Sequence, residues 1–387
     1  AHILVASSDY VSVLDILENL VATTQIDFED VSVRIDQLRS HGDNADTDGA
    51  FAMVHGDLRH VDAGLGGSYF RVFNCTIDAV THTPQSLITF KRGQDLRLEN
   101  FRTDILHSRL SLVSHEHCER ANYVEMLLFF CKGDHTTPIT LHDVTVSAKA
   151  TSTQSCDTTN DIQLATLRAK LEGNANDETK RFPMTVSSSR LRADAFVGND
   201  IFIIDNMRGV NLMFRDTQVT SLYRTDDEDA GAENSRIFDI NGQAWASSMQ
   251  FVRVDMAASS KVRSGPCFGG ATRANQLNNV ALKFLNNTFG DCTDGLFFGT
   301  DQGNLNFDEE DPLVMRCNYD AFKGALALEG DYPDTTTFLP CDSACDIATE
   351  CNAEYTQAIA PASVPPHDCR CLCKNVTNPR LSLTLRC

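Results

Sequence analysis

The 387 residues carry a formal charge of −20, from 53 acidic against 33 basic side chains, with 42% hydrophobic residues and a single Trp. That length suits two or three domains or one elongated repeat architecture better than one compact globule, and the charge opposes binding to nucleic acid, anionic membranes or acidic polysaccharide unless a cation bridges the two. The longest apolar run, residues 126–131, falls far short of the ~20 residues a membrane helix needs, so no membrane span is expected.

The chain opens at Ala1 without an initiator Met or a charged-then-apolar signal, which reads as a mature form whose targeting segment has been removed, or as a fragment. Ser8 and Asp9 precede residues 10–21, where Val13, Leu14, Leu17, Leu20 and Val21 lie at helical spacing behind a capping residue. An amphipathic helix is therefore expected within residues 1–25, as a cap over the open end of the core that follows.

Residues 26–340 carry a recurring segment, apolar-x-apolar-x-polar. It reads Ile26-Phe28-Asp30, Phe70-Val72-Asn74, Leu96-Leu98-Asn100, Ile139-Leu141-Asp143, Met184-Val186-Ser188, Leu212-Phe214-Asp216, Met249-Phe251-Arg253, Leu282-Phe284-Asn286 and, less regularly, Leu313-Met315-Cys317, at intervals of 26 to 45 residues. Alternation at period two makes each segment a short strand with one buried face. The closing Asp, Asn or Ser tolerates left-handed backbone and hydrogen-bonds its own turn. One such strand per repeat cannot bury its face alone, whereas stacked parallel coils can. Successive hairpins would turn every ~8–12 residues, too often for this spacing. Val72, Leu98, Leu141, Phe214, Phe251 and Phe284 are expected to point inward.

Within this stretch the run Asp226, Asp227, Glu228, Asp229 reads as a solvated acidic loop that could hold calcium loosely. Beyond Pro340 the composition changes: residues 341–387 contain Cys341, Cys345, Cys351, Cys369, Cys371, Cys373 and Cys387 with little periodicity. Seven more cysteines lie in the body: Cys75, Cys118, Cys131, Cys156, Cys267, Cys292 and Cys317. So many thiols without zinc-like spacing fit an oxidising compartment, and a disulfide-rich tail serving assembly is expected. If every thiol pairs within the chain, an odd number of bridges must join tail to body.

Segments such as 282–289 (LKFLNNTF) and 70–77 (FRVFNCTI) resemble the right-handed parallel β-helix, or pectin-lyase-like, superfamily. The resemblance covers roughly residues 25–330 and implies an all-β, right-handed solenoid. Members of the polygalacturonase family carry Asn-Thr-Asp, Asp-Asp, Gly-His-Gly and Arg-Ile-Lys segments; here only Asp226-Asp227 matches, and ten of the eleven histidines fall at or before His142. No catalytic residues are therefore assigned.

Asp200, Asp205, Asp239 and Arg236 could form a carboxylate site of another kind, although solenoid corners use Asp too. His115-Glu116-His117-Cys118, with His107 or His135, has the residue types of a metal site, but a polar loop with a disulfide cysteine explains it as well, and no metal is assigned. Three Asn-x-Ser/Thr sequons occur, at Asn74, Asn286 and Asn375, of which Asn375 reads as the clearest glycan acceptor. Together these features lead to a non-catalytic, secreted structural glycoprotein at the cell surface or outside the cell, a subunit of a fibril, surface hair or wall, associating with itself or with other matrix proteins. The alternative is a carbohydrate-active or carbohydrate-binding β-helix protein.

Overall fold

The computed structural model describes residues 1–7, 11–16, 24–37, 51–56, 67–81, 86–90, 98–99, 101–115, 123–151, 163–195, 199–223, 236–240, 243–260, 268–269, 276–290, 306–307, 313–320, 325–326, 336–339, 357–359 and 372–374. Among them the chain is almost wholly β, with one 3-10 turn at Glu178–Lys180 and no α-helix. Two large sheets hold stacked strands that pair in parallel with the equivalent strand one coil before and one coil after. Among the described residues antiparallel pairs occur only between Tyr319–Asp320 and Ala325–Leu326, and in the tail between Gln357–Ile359 and Leu372–Lys374. The architecture is thus parallel and solenoid-like, as the single, widely spaced strand segments predict.

Each full coil contains three strands. A first face is built from strands such as Gln25–Glu29, Tyr69–Phe73, Arg102–Leu106, Ile139–His142, Phe182–Ser187 and Val210–Arg215. Each of these ends in a single corner residue. A second face follows: Ser32–Gln37, Thr76–Thr81, Arg109–Ser114, Thr145–Ala150, Arg190–Ala195, Gln218–Tyr223 and Asp255–Ser260. A third face, including Tyr123–Lys132, Gln163–Glu172 and Asn199–Arg208, leads back to the first.

Nine corner residues between the first and second faces, Asp30, Asn74, His107, Asp143, Ser188, Asp216, Arg253, Asn286 and Cys317, all have φ between 48° and 58°. Left-handed backbone is tolerated best by Gly, Asn and Asp, which explains five of the nine. The parallel ladder runs unbroken through these corners, as when the Asn74 N–H donates to the Leu106 carbonyl at 3.1 Å and the Asp216 N–H to the Val252 carbonyl at 3.0 Å.

Where the residue after a corner is polar, its side chain points inward and bonds the backbone. Ser108 Oγ accepts from the Cys75 N–H (3.0 Å) and donates to the Leu106 carbonyl (2.7 Å); Ser189 Oγ accepts from the Val144 N–H (3.1 Å) and donates to the Ser187 carbonyl (2.7 Å). Asn287 and Asn318 extend the row: Asn287 Oδ1 accepts from the Val254 N–H at 2.9 Å, and its Nδ2 donates to the Phe251 carbonyl (3.0 Å) and to Asn318 Oδ1 (2.9 Å).

The core lies inside the coil, where aligned positions stack like on like. Val72, Leu141, Phe214, Phe251 and Phe284 are fully buried as expected, each contributing roughly 1.5–3 kcal/mol of burial. Phe251 stacks on Phe284 at 4.7 Å and on Phe214 at 5.6 Å, with interplanar angles of 10° and 17°. Leu98 belongs to the short strand Leu98–Glu99, and its side chain lies outside the described residues.

Two expectations are corrected. No helix forms among the described N-terminal residues: Val13 and Leu14 lie in strand Val11–Ile16, which pairs in parallel with Phe51–Gly56, and His2–Ser7 is a strand paired with Ser32–Gln37, while Leu17, Leu20 and Val21 are outside the described residues. Val11, Val13 and Ile16 are β-branched and fit strand as well as helix, so pairing with strands ~30–40 residues later decides the outcome. Second, the first-face position assigned to Leu96-Leu98-Asn100 is held by Thr103, Ile105 and His107, aligned with Phe70, Val72 and then Ile139, Leu141. Leu98 pairs with Cys131 on the third face. A second corner, which the strand pattern did not indicate, precedes the first face, at Gly133, Gly173, Gly209, Ala246 and Asn279. The last three are left-handed, with φ of 62°, 46° and 54°. A Cβ at Gly173 would strike the Gly209 carbonyl oxygen, so close coil-to-coil approach requires glycine there.

Candidate functional site

The corner residues form a polar ridge whose side chains bridge adjacent coils. Asn74 Nδ2 donates to Asp30 Oδ1 at 2.5 Å, His107 Nδ1 meets Asp143 Oδ2 at 2.9 Å, and His142 Nδ1 meets Ser187 Oγ at 2.9 Å. The His107 ring stands edge-on to Phe73 and to His142, at 5.6 and 5.5 Å. The two histidine bridges are therefore separate pairs meeting through ring faces. They do not form a hydrogen-bonded relay from carboxylate to hydroxyl. Lower on the ridge Arg253, whose side chain is 3% exposed, grips Asp216 with two bonds of 2.6 and 2.9 Å.

Outward carboxylates on the faces are engaged in the same way. Arg71 forks onto Asp27 of the preceding coil (2.9 and 2.7 Å) and touches Glu29, which holds its guanidinium above the ordinary value. Arg102 meets the buried Asp104 at 2.6 Å. On the third face Asp205 sits in a bulge between Ile204 and Asn206 and takes two bonds from Arg168 of the preceding coil, at 2.7 and 3.0 Å.

Asp205 is thus tied to an arginine. Asp200 stands beside Arg236 in register and Asp239 beside Ile203, and the side chains of Asp200, Arg236 and Asp239 lie outside the described residues. His115 Nδ1 meets Thr151 Oγ1 at 2.6 Å, while Glu116, His117, Cys118 and the acidic run 226–229 are outside the described residues. Among the described residues no group of three His, Cys, Asp or Glu side chains is placed to hold a metal.

The sequence reading missed a cationic patch. Positions two and four after the corners face outward on the second face, with position six partly exposed at Lys149 and buried at Asp194, and there Arg109, Lys149, Arg190 and Arg192 gather within three successive coils. Arg109, Arg190 and Arg192 are exposed and Lys149 is partly so. Among the described residues Arg109, Lys149 and Arg190 make no ion pair, and Arg192 only reaches Asp194 at 3.6 Å. Counting from the corner residues in the sequence would have found this row. Arg34, Arg71, Arg102, Arg168 and Arg253, by contrast, each hold a carboxylate, and Arg208 lies over the Trp245 ring, 4.4 Å from its centroid.

The sequons differ in presentation. Asn74 is exposed, Asn286 is 5% exposed, and Asn375 is outside the described residues. Cys75 and Cys131 are free, buried thiols; burial pushes Cys131 up to about 12 and also raises Cys75, whose Sγ lies 3.2 Å from the Phe73 carbonyl. Cys75 occupies the row of Ser108 and Ser189 and bonds the backbone as they do. Cys317 is disulfide-bonded. Cys341, Cys345, Cys351, Cys369, Cys371 and Cys387, and the side chain of Cys373, are outside the described residues. Compared with protein families, with curated proteins and with solved structures, the chain matches none.

Proposed function

We propose that this chain is a non-catalytic structural glycoprotein of the extracellular space, a right-handed, pectin-lyase-like rod that serves as a subunit of a fibril, surface hair or wall layer. One observation carries the reading: Asp27, Asp205 and Asp216 are each held by two bonds from an arginine of an adjacent coil. Carboxylates spent as staples between coils stiffen a rod and are withdrawn from acid–base chemistry, which needs a carboxyl free to exchange its proton. The right-handed sense follows the strong preference of parallel strand crossovers. Secretion and disulfide formation in the tail are part of the same proposal, supported by the cysteine content and by the disulfide at Cys317.

Glycosylation is proposed at Asn74, the exposed sequon, and at Asn375. A glycan on Asn286 would have to displace the packing around a side chain that is only 5% exposed. Electron microscopy of the native material tests the assembly, with filaments or ordered layers expected, and mass spectrometry of the same material tests the acceptor sites. A glycan array read together with a hydrolysis assay tests the opposite case: sugar turnover abolished by Asp205→Asn would overturn the scaffold reading.

A further inference from the structure

We infer that the second face is a self-complementary interface on which a second copy of this chain docks antiparallel, through Arg190 of each copy on Asp255 of the other; this rests on the proposed scaffold role and names the contact it uses. The first observation is a contrast in pairing. Arg34, Arg71, Arg102, Arg168 and Arg253 each hold a carboxylate within 3 Å. Arg34 does so on the first coil of the second face, with Asp36 of its own strand; further along that face Arg109, Lys149 and Arg190 have no such partner among the described residues, although acidic residues outnumber basic ones by 53 to 33. An outward-facing, unpaired cluster of cations on an acidic protein is complementary to the surface of another copy.

The second observation is the order of charge along the stack. Arg190, Gln218 and Asp255 occupy one outward row, in register across three successive strands. Asp78 lies one coil before the cations and Asp255 two coils after Arg190, and neither is ion-paired among the described residues. Reading down the face therefore gives negative, positive, uncharged, negative. Gln218 separates Arg190 from Asp255 and lies on the row itself, while the side chains beside the charges, Ser111, Thr145, Ser147 and Thr220, are small, so a second face can approach to the ~10 Å of packed sheets.

The charge order selects the orientation. Copies laid with their coil axes parallel and in register would set Arg190 and Arg192 against themselves. A two-fold axis lying in the interface along the strand Gln218–Tyr223 reverses the coil order and keeps the row. It brings Arg190 of one copy over Asp255 of the other, and by symmetry the reverse, each contact lying one strand spacing, ~5 Å, from the axis.

Salt alone is a poor probe, because it screens the attraction at the face and the repulsion between two chains of charge −20 together. Charge exchange is specific. Sedimentation velocity of the full chain should show self-association that Arg190→Glu weakens ~10-fold, since each reversal alters two symmetry-related contacts. Asp255→Arg should do the same, and both variants should keep the parent melting temperature because the positions face outward. The two variants mixed should associate again, as should the double variant, because opposite signs then face each other at both contacts. Unchanged association in Arg190→Glu, or loss in both single variants without recovery on mixing, would overturn the interface, and filaments persisting in either case would leave the scaffold reading standing. A chain that stays monomeric at all concentrations, binds an acidic polysaccharide through these arginines and forms no filaments would overturn both.

Discussion

Asn287→Ala tests the idea that the inward row after the corners holds the coils together. Asn287 is 1% exposed, and its side chain makes three hydrogen bonds: from the Val254 N–H, to the Phe251 carbonyl and to Asn318 Oδ1. The bond from its own N–H to Asn318 Oδ1, at 3.1 Å, survives the substitution. The variant therefore leaves one buried backbone donor, the Val254 N–H, without its acceptor and deprives two oxygens of a donor. At ~1 kcal/mol for each bond, with an orphaned buried donor costing ~1–3 kcal/mol, a loss of about 3 kcal/mol is expected. Ser189→Ala, which strands the Val144 N–H and removes one donation to the Ser187 carbonyl, should cost about 2 kcal/mol. Urea unfolding gives the magnitudes, and amide exchange gives the location: the Val254 amide should lose protection in Asn287→Ala while amides several coils away keep theirs. Asn287→Asp adds a sign. Burial raises the folded-state pKa of the new carboxyl above its unfolded value of ~3.9, so the variant is closest to the parent below that value and loses stability as pH rises through the folded-state pKa. An Asn287→Ala variant within ~0.5 kcal/mol of the parent, or an unchanged Val254 amide, would refute the reasoning.

Arg168→Ala should destabilise by about 2 kcal/mol, because it strands Asp205 at 15% side-chain exposure, whereas Arg168→Ala combined with Asp205→Asn should recover much of the loss in denaturant melts. Cys75 and Cys131 should resist alkylation in the native protein and react once it is unfolded. Under non-reducing conditions Cys317 should map to a cysteine within residues 341–387, because Leu339, two residues before Cys341, stands beside Arg316; a bridge to the body refutes this. The turns at Asp134 and Asp177 should loosen in acid. Burial raises Asp134, but bonds from the Thr136 hydroxyl and N–H together with the charge of His135 outweigh it and lower the pKa; Asp177 is lowered first by Thr179 and then by Lys180. Their stabilisation is present above the unfolded carboxylate value of ~3.9 and lost as pH falls through the lower folded value. Amide shifts of Thr136 and Thr179 that do not move in that range would contradict it.

The strand segments and their polar corners were legible in the sequence because side-chain alternation and left-handed tolerance are local properties: Val72 with Asn74, Phe214 with Asp216 and Phe284 with Asn286 each fit within a few residues of chain. The same local reading misplaced residues 96–100. Thr103, the buried polar residue that holds the first-face position, hides the alternation that Leu96 and Leu98 display. Residues 11–16 were ambiguous for a related reason, since a short apolar run satisfies both periods until a partner strand supplies hydrogen bonds. The third face and its corner at Gly133, Gly173 and Gly209 carried only a faint signal, glycines 36 to 40 residues apart. At Gly173 and Gly209 the need for glycine arises from the backbone of the adjacent coil, not from their own neighbours in sequence. The charges show the division most sharply. Arg71 and Arg190 are alike in the sequence, yet Asp27, 44 residues away, neutralises one, while the described coils bring no carboxylate to the other. Local sequence determined which residues turn and which alternate; pairing across coils, being non-local, decided which charges are spent inside the rod and which remain on its surface.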